Sequence, residues 1–299
     1  QKNRKLAKHT IPSPKGTCDV CGSLAHRFVH RQSNGWEIRE CCQCRLVQIL
    51  PKPTHKDVAG LYEHDWTHFS PYLSQTSAHR EYFKKLLRFI THTTNGETHG
   101  KRILDVGCAT GILLEEAKSI GMTAVGIDIS EDAVSYCRSK GQAVLNTTLR
   151  EFSTEKIPAF DYITACEVIE HEYDPIMMIK SAFSLLKPSG LFLVTTPNFN
   201  TIYRKLFGSR WVGYQHPEHL WFYTPQTITD AFTRAGFTQI SVRSDFPRNY
   251  ELSYAFRRLG EYFPAGKFLF TPLERITHAL RLTNPVNPWG DMLVIGRKG

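Results

Sequence analysis

The chain reads as an α/β protein: a doubly wound, mostly parallel sheet preceded by a small cysteine-rich metal module. Three features predict this. Two C-x-x-C pairs lie within residues 18–44, a strand–glycine turn–helix unit is written in ILDVGCATG (103–111), and buried strands then alternate with helical segments. With 299 residues, 41% of them hydrophobic, there is enough chain for one large domain and an appendage. No apolar run reaches the length of about eighteen residues that spans a bilayer. The basic start QKNRKLAKH is followed by no apolar signal core, so a cytoplasmic location is expected. The formal net charge of +9 admits a polyanionic partner. Nucleic acid is not the favoured one, because basic and aromatic residues do not interleave as in an RNA-recognition sheet.

The first module, residues 1–54, holds Cys18 and Cys21, then nineteen residues, then Cys41 and Cys44. Two knuckles at that separation predict a zinc ribbon, and four thiolates leave no open position for chemistry, so the zinc is structural. Cys42 is surplus to the tetrahedron, while Cys108, Cys137 and Cys166 occur singly, a distribution that favours a metal over disulfides. Between the knuckles HRFVHR and GWEIREC alternate around Ser33-Asn34-Gly35, the pattern of a β-hairpin.

Residues 55–299 form the second domain. PKPTHKD leads into a short helix around 58–63, and an amphipathic helix follows over 77–93 with Tyr82, Phe83, Leu86, Leu87 and Ile90 on one face. Strands RILDV, TAVGID, AVLN, FDYITA and GLFLVTTP then alternate with helices near 112–120, 131–140 and 175–186, the βαβ pattern of a parallel sheet. A helix near 225–235, a strand QISVRS, a helical insert over about 250–282 and a closing strand DMLVIGRK complete the chain. The aromatic-rich stretch 198–224, with Arg204, Lys205 and Arg210, is expected to form a lid. The insert is expected to cap the same cleft, to pair two copies or to touch a membrane surface, with core packing accounting for most of its phenylalanines.

The glycine turn lacks the Lys-Ser/Thr pair of a phosphate loop and the G-x-G-x-x-G spacing of a dinucleotide site. Asp105, two residues before Gly107, would repel phosphate at the helix entrance and suits an ammonium group instead. Asp128, at the end of the second strand, is placed to accept hydrogen bonds from ribose hydroxyls. An amine and a ribose without phosphate between them describe S-adenosylmethionine. Methyl transfer from its sulfonium is an in-line displacement, so the protein must align the acceptor and, for a hydroxyl or carbon acid, remove a proton. Candidates are His171 after the fourth strand and Glu218 with His219 after the fifth, with His216 as an accessory loop residue.

Over roughly residues 100–245, the ordered set ILDVGCATG, VGIDI, FDYITACEVIEH and LLKPSGLFLVTTP resembles the class I S-adenosylmethionine-dependent methyltransferases, with their Rossmann-like fold. That resemblance implies that Asp105, Gly107, Cys108, Ala109 and Gly111 line the methionine portion, Asp128 and Ile129 the ribose and adenine, Thr148 and Leu149 the adenine edge, and that Cys166 and Glu167 face the cofactor. The ribbon and the block EHLWFYT are similar to bacterial nucleotide-sugar C-methyltransferases, which implies proton removal by Glu218 and His219. Those enzymes carry a further substrate-binding domain after the core, so the expectation widens to a small-molecule acceptor, a sugar, nucleotide-sugar or secondary metabolite, methylated on oxygen or carbon. A second reading starts from Glu167-x-x-Glu170-His171, which is similar to small-RNA 2′-O-methyltransferases and ubiquinone-type O-methyltransferases and implies a divalent ion, with magnesium favoured and His219 or His216 completing it. A third makes the ribbon a non-catalytic docking module.

Overall fold

A computed structural model describes residues 16–54, 57–58, 76–94, 96, 98–154, 160–214, 216–244, 246, 250–280, 282–284 and 290–299. Most of the short helix expected at 58–63 lies outside the described residues. In chain order, β1 (His26–Arg31), β2 (Glu37–Cys41) and β3 (Val47–Ile49) precede α1 (Thr76–Thr93). Then come β4 (Arg102–Val106), α2 (Ile112–Ser119), β5 (Thr123–Asp128), α3 (Glu131–Ser139), β6 (Val144–Asn146) and α4 (Leu149–Phe152). These lead to β7 (Phe160–Cys166), α5 (Pro175–Leu185), β8 (Leu186–Pro197), α6 (Ile202–Phe207), β9 (Trp221–Phe222), α7 (Pro225–Arg234) and β10 (Gln239–Arg243). The chain closes with β11 (Tyr250–Glu251), α8 (Leu252–Tyr262), α9 (Lys267–Ala279), β12 (Thr283–Asn284) and β13 (Asp291–Arg297).

Seven strands form the main sheet in the order β10-β13-β8-β7-β4-β5-β6. Strands β6, β5, β4, β7 and β8 run parallel, and β13 enters antiparallel between β8 and β10. Ile103, Leu104, Ile163, Phe192 and Val194 are fully buried, as a sheet covered on both faces demands. Helix starts are fixed chemically just past the strand ends: Ser130 caps α3, Asp174 caps α5 ahead of Pro175, and Thr224 caps α7 ahead of Pro225. From β4 the chain winds outward to β6, then returns to β7 on the other side. The resulting crevice, beyond the carboxyl ends of β4 and β7, is where ligands settle in such sheets.

The ribbon hairpin forms around residues 32–36, closed by the Gln32 amide donating to the Trp36 carbonyl at 2.9 Å. Its sheet does not end with its own strands. Its order is β1-β2-β3-β9, with Val47 opposite Phe222 and Gln48 opposite Trp221. Leu46, Val47 and Ile49 share a core with Trp211, Tyr214 and residues 220–223. The stretch 198–224, expected as a lid, is therefore in large part a structural seam between ribbon and sheet: its aromatic side chains found too much apolar surface on both sides to remain a flap. The 250–282 insert is a helical hairpin whose base is tied by β11 and β12, Tyr250 opposite Asn284.

Candidate active site

The turn after β4 is wound by three residues in left-handed backbone, Gly107 (φ 69°), Ala109 (φ 44°) and Gly111 (φ 69°). Only glycine adopts such angles freely, and a Cβ on Gly107 would stand 2.6 Å from a methyl of Val168 in the turn after β7. The Gly107 and Cys108 amides both donate to the Ile127 carbonyl, at 2.8 and 3.2 Å. Asp128 continues the stitching: one carboxylate oxygen accepts from the Ala109 amide and the other from the Ser130 amide, each at 2.9 Å. A carboxylate has about four lone-pair positions, so both oxygens keep capacity for ribose hydroxyls. Ile129 follows with 63% of its surface exposed, an apolar shelf at the sheet edge. Asn146, which the sequence reading missed, holds that shelf by donating to the carbonyls of Asp128 and Ile129 at 3.1 and 2.9 Å.

Asp105 lies deeper than the sequence reading places it. It is 3% exposed and accepts a 2.7 Å hydrogen bond from the Thr164 hydroxyl, so it sits beneath the turn and not in its open mouth. Burial, with the charge of Asp128 adding, raises its pKa to about 7. A buried carboxyl of this kind fits a cationic ligand group, which would restore what desolvation removes. The Cys108 side chain turns away from the crevice: it is buried, and the neighbouring Cys137 thiol, followed by burial, pushes its pKa up. Thr148 and Leu149 both have structural roles at the start of α4. The Thr148 hydroxyl belongs to the capping box of α4 with Glu151, and Leu149 is buried in the core. Cys166 is half-buried at the end of β7, and Glu167 follows with φ 57°, its amide bonded to the Thr195 carbonyl at 2.9 Å.

A second constellation forms where the segment before β9 straps onto the turn after β7. Leu220 and Trp221 both donate their amides to the Glu170 carbonyl, at 2.8 and 3.2 Å, and the Trp221 indole donates to the Glu172 carbonyl at 2.6 Å. These bonds bring the rings of His171 and His219 edge to face with centroids 4.8 Å apart. His219 in turn stacks on His216 at 4.9 Å, and His216 Nδ1 lies 2.9 Å from a Glu218 oxygen. His216, expected to be accessory, is thus part of the group, because the HPEH spacing folds back on itself. Burial works against the Glu218 charge, yet the hydrogen bond and charge of His216, with His171 adding, hold its pKa down at about 2. Burial, with the His171 and His216 charges adding, keeps His219 well below the ordinary histidine value.

Glu170 is fully enclosed, and burial, then the charge of Glu167, pushes its pKa well above the carboxylate range. One oxygen accepts from the Thr196 hydroxyl at 3.0 Å, and the other has no partner among the described residues. One donor atom each from Glu170, His171 and His219 lies within 4.8 Å of the other two. Glu167 is not in that group, which differs from the expected Glu-Glu-His set: its left-handed backbone sets it off from the turn that carries Glu170.

In the ribbon, the sulfurs of Cys18, Cys21, Cys41 and Cys44 lie within 4.8 Å of one another, with Cys18–Cys44 at 3.4 Å and Cys21–Cys41 at 3.5 Å. Zinc–sulfur bonds of about 2.3 Å in a tetrahedron require sulfur separations of about 3.8 Å, so the residues fit the ion. Amides of the knuckles turn onto the sulfurs. Those of Cys44 and Gln43 point at Cys41 and, against the effect of burial, bring its thiol down to about 7. Cys42 is exposed and outside the group.

A parallel sheet with one antiparallel strand, a glycine turn over a buried acid and a second acid at the next strand end define a class I S-adenosylmethionine-dependent methyltransferase fold. A family model described as a methyltransferase domain matches residues 74–242, more than half of the chain, and the protein belongs to that family. Among curated relatives, the ubiquinone biosynthesis O-methyltransferase of Glaesserella parasuis is 35% identical over 122 residues, covering 38% of this chain and 51% of that enzyme. The enzyme of the same name from Cereibacter sphaeroides is 31% identical over 152 residues, 47% of this chain and 62% of the relative. The match thus spans between about half and three-fifths of these relatives' length. Among solved structures, a S-adenosylmethionine-dependent methyltransferase of Thermotoga maritima superimposes with a TM-score of 0.51 at 14% identity, over 81% of this chain and all of that one. Magnesium protoporphyrin IX methyltransferase of Synechocystis, with bound adenosylhomocysteine, gives 0.52 at 13% identity, over 82% of this chain and 100% of that one.

Proposed function

We propose that the protein transfers the methyl group of S-adenosylmethionine to a hydroxyl of a small molecule, with His171 removing the acceptor proton. The observation that carries this reading is the run of contacting side chains His171, His219, His216 and Glu218 at the crevice beside the glycine turn. The cofactor's amino group is held above Asp105, its ribose by Asp128 and its adenine against Ile129 and the first turn of α4. Its sulfonium supplies the electrophilic methyl. His171 takes the hydroxyl proton as the oxygen attacks. His219, kept neutral, orients it, and Glu218 holds His216 in place. The shared name of the curated relatives favours an oxygen acceptor on a small molecule over carbon.

A divalent ion held by Glu170, His171 and His219 is favoured as a second reading by the partnerless Glu170 oxygen. Two imidazoles and one carboxylate suit zinc, iron or manganese better than magnesium, and the ion would lower the pKa of an acceptor hydroxyl. In the ribbon a structural zinc on Cys18, Cys21, Cys41 and Cys44 completes the fold. RNA is disfavoured as acceptor because the ribbon arginines 27, 31, 39 and 45 are all paired to Glu37 or Glu40.

The test is turnover to adenosylhomocysteine on a panel of hydroxylated acceptors, alongside calorimetry of adenosylhomocysteine binding. His171→Ala is expected to cut kcat by about 10²–10⁴-fold while leaving that binding within about twofold. Unchanged turnover in both His171→Ala and His219→Ala would remove the assignment.

A further inference from the structure

Among the described residues, the helical hairpin leaves one face uncovered. Along α9, Phe268, Leu269, Leu273 and Ile276 recur at helical spacing and are 72, 57, 40 and 55% exposed, and Leu280 extends the stripe at 63%. The other side of α9, where Thr277 is buried, packs on α8. Apolar side chains along one helix face ordinarily mark the surface that is buried, and here the protein supplies nothing to bury it among the described residues. Arg275 borders the stripe and Lys267 stands at its head, both exposed and neither in an ion pair among the described residues.

The position of the stripe in the fold matters. Strands β8 and β10 both run antiparallel to β13, hence parallel to each other, so the hairpin leaves the same carboxyl edge of the sheet that carries the glycine turn. Helix α6 leaves that edge too, with Ile202 and Leu206 exposed at 73 and 74% beside Lys205. The two features are tied at their bases by the Asn198 amide, which donates to the Gly290 carbonyl at 3.2 Å.

We propose that this face docks on an anionic lipid bilayer, with α9 lying in the headgroup plane and the crevice edge of the sheet turned toward it. At 13 residues α9 is about 20 Å long, and no helix among the described residues is long and apolar enough to cross a membrane, so the contact is interfacial. Charge decides against a second copy as the occupant. Two like faces would bring their unpaired Arg275 and Lys267 together on a chain of net charge +9, whereas anionic headgroups neutralise them.

Co-sedimentation of the full chain with phosphatidylcholine vesicles, and with vesicles that also contain phosphatidylglycerol, tests this. Partition is expected to be at least about tenfold stronger onto the anionic vesicles and to weaken with salt. Phe268→Ser, Leu269→Ser and Ile276→Ser together should reduce it at least about tenfold without moving the thermal midpoint, since all three side chains are exposed. Replacing Lys267 and Arg275 by Gln should lower the anionic preference by about fivefold per charge. Equal or absent partition on both vesicle types overturns the proposal. So does a wild-type dimer in light scattering that the triple serine variant converts to monomer, which would show that a second copy covers the face.

Discussion

Glu170 and Leu220, fifty residues apart, are joined main chain to main chain: the Leu220 amide donates to the Glu170 carbonyl at 2.8 Å, and the Trp221 amide shares the same acceptor. This bond decides which side chains meet. It lays HPEHLW across the turn that ends CEVIEH, so that residues leaving β7 and residues approaching β9 form one group. Because β9 is at once the fourth strand of the ribbon sheet, the cysteine module and the histidine group rest on the same five residues, 218–222.

Trp221 is the anchor of that strap. It is 3% exposed, donates to the Glu172 carbonyl and lies 5.4 Å beneath the Lys52 ammonium. Trp221→Ala removes a buried aromatic and leaves a carbonyl without its donor. Urea denaturation should show a loss of about 3–5 kcal/mol, and turnover should fall with it, as His219 is no longer held against His171. A loss below about 1 kcal/mol would mean that the strap does not depend on this ring.

Gly107→Ala tests the cofactor turn. The new methyl group would need φ near 69° and would press on Val168, so the turn must open. Adenosylhomocysteine affinity should fall at least about tenfold in calorimetry, the equivalent of about 1.4 kcal/mol. Retained affinity would show that the turn does not contact the ligand.

Much of this was legible in the sequence because periodicity and glycine spacing report local backbone, and local backbone sets the order of a βαβ sheet. Strands β4 to β8 and helices α2, α3, α5 and α7 follow the pattern to within a few residues. The strap was not legible. Pairing of β3 with a two-residue strand, Val47 with Phe222 and Gln48 with Trp221, leaves no periodic signal across so long a separation, and aromatic density in 198–224 is equally compatible with a lid and with a seam. The His216–Glu218 contact was hidden for a related reason, since residues two apart meet only when the backbone turns. The second role of Thr148 was hidden as well, because a Thr-x-x-Glu capping box and a ligand-facing threonine look alike in a sequence; the Glu151 carboxylate lies within 2.9 Å of its hydroxyl.

With the cofactor's amino group over Asp105, as proposed, cofactor affinity should depend on pH. Its pKa is raised to about 7 by burial, then by Asp128, so below neutrality it is mostly protonated and cannot pair with an ammonium group. Binding favours the ionised form, so affinity should strengthen as pH rises toward 7 and level off above it. Between pH 8 and pH 6 the ionised fraction falls about tenfold, and Kd for adenosylhomocysteine should weaken to match. Asp105→Asn should bind weakly at all pH values with a flat profile. A wild-type profile that is flat between pH 6 and 8 would mean that this carboxyl does not sense the ligand.

Zinc removal should reach the chemistry although no cysteine of the ribbon touches it. Without the ion, burial disfavours the thiolates of Cys18 and Cys44, and the two knuckles lose what holds them together. β2 and β3 then loosen, β9 loses Gln48 and Val47 as partners, and the strap that fixes His219 goes with it. Elemental analysis should find one zinc per chain, with chelation or Cys44→Ala lowering the thermal midpoint and abolishing turnover together. Cys42→Ser should leave zinc content, midpoint and turnover unchanged, because that side chain is exposed and outside the sulfur group. The outcome that breaks this coupling is a chelated protein that has released its zinc and still turns over at the original rate. The ribbon would then be an appendage, and β9 would keep its place through the Glu170 and Glu172 carbonyls.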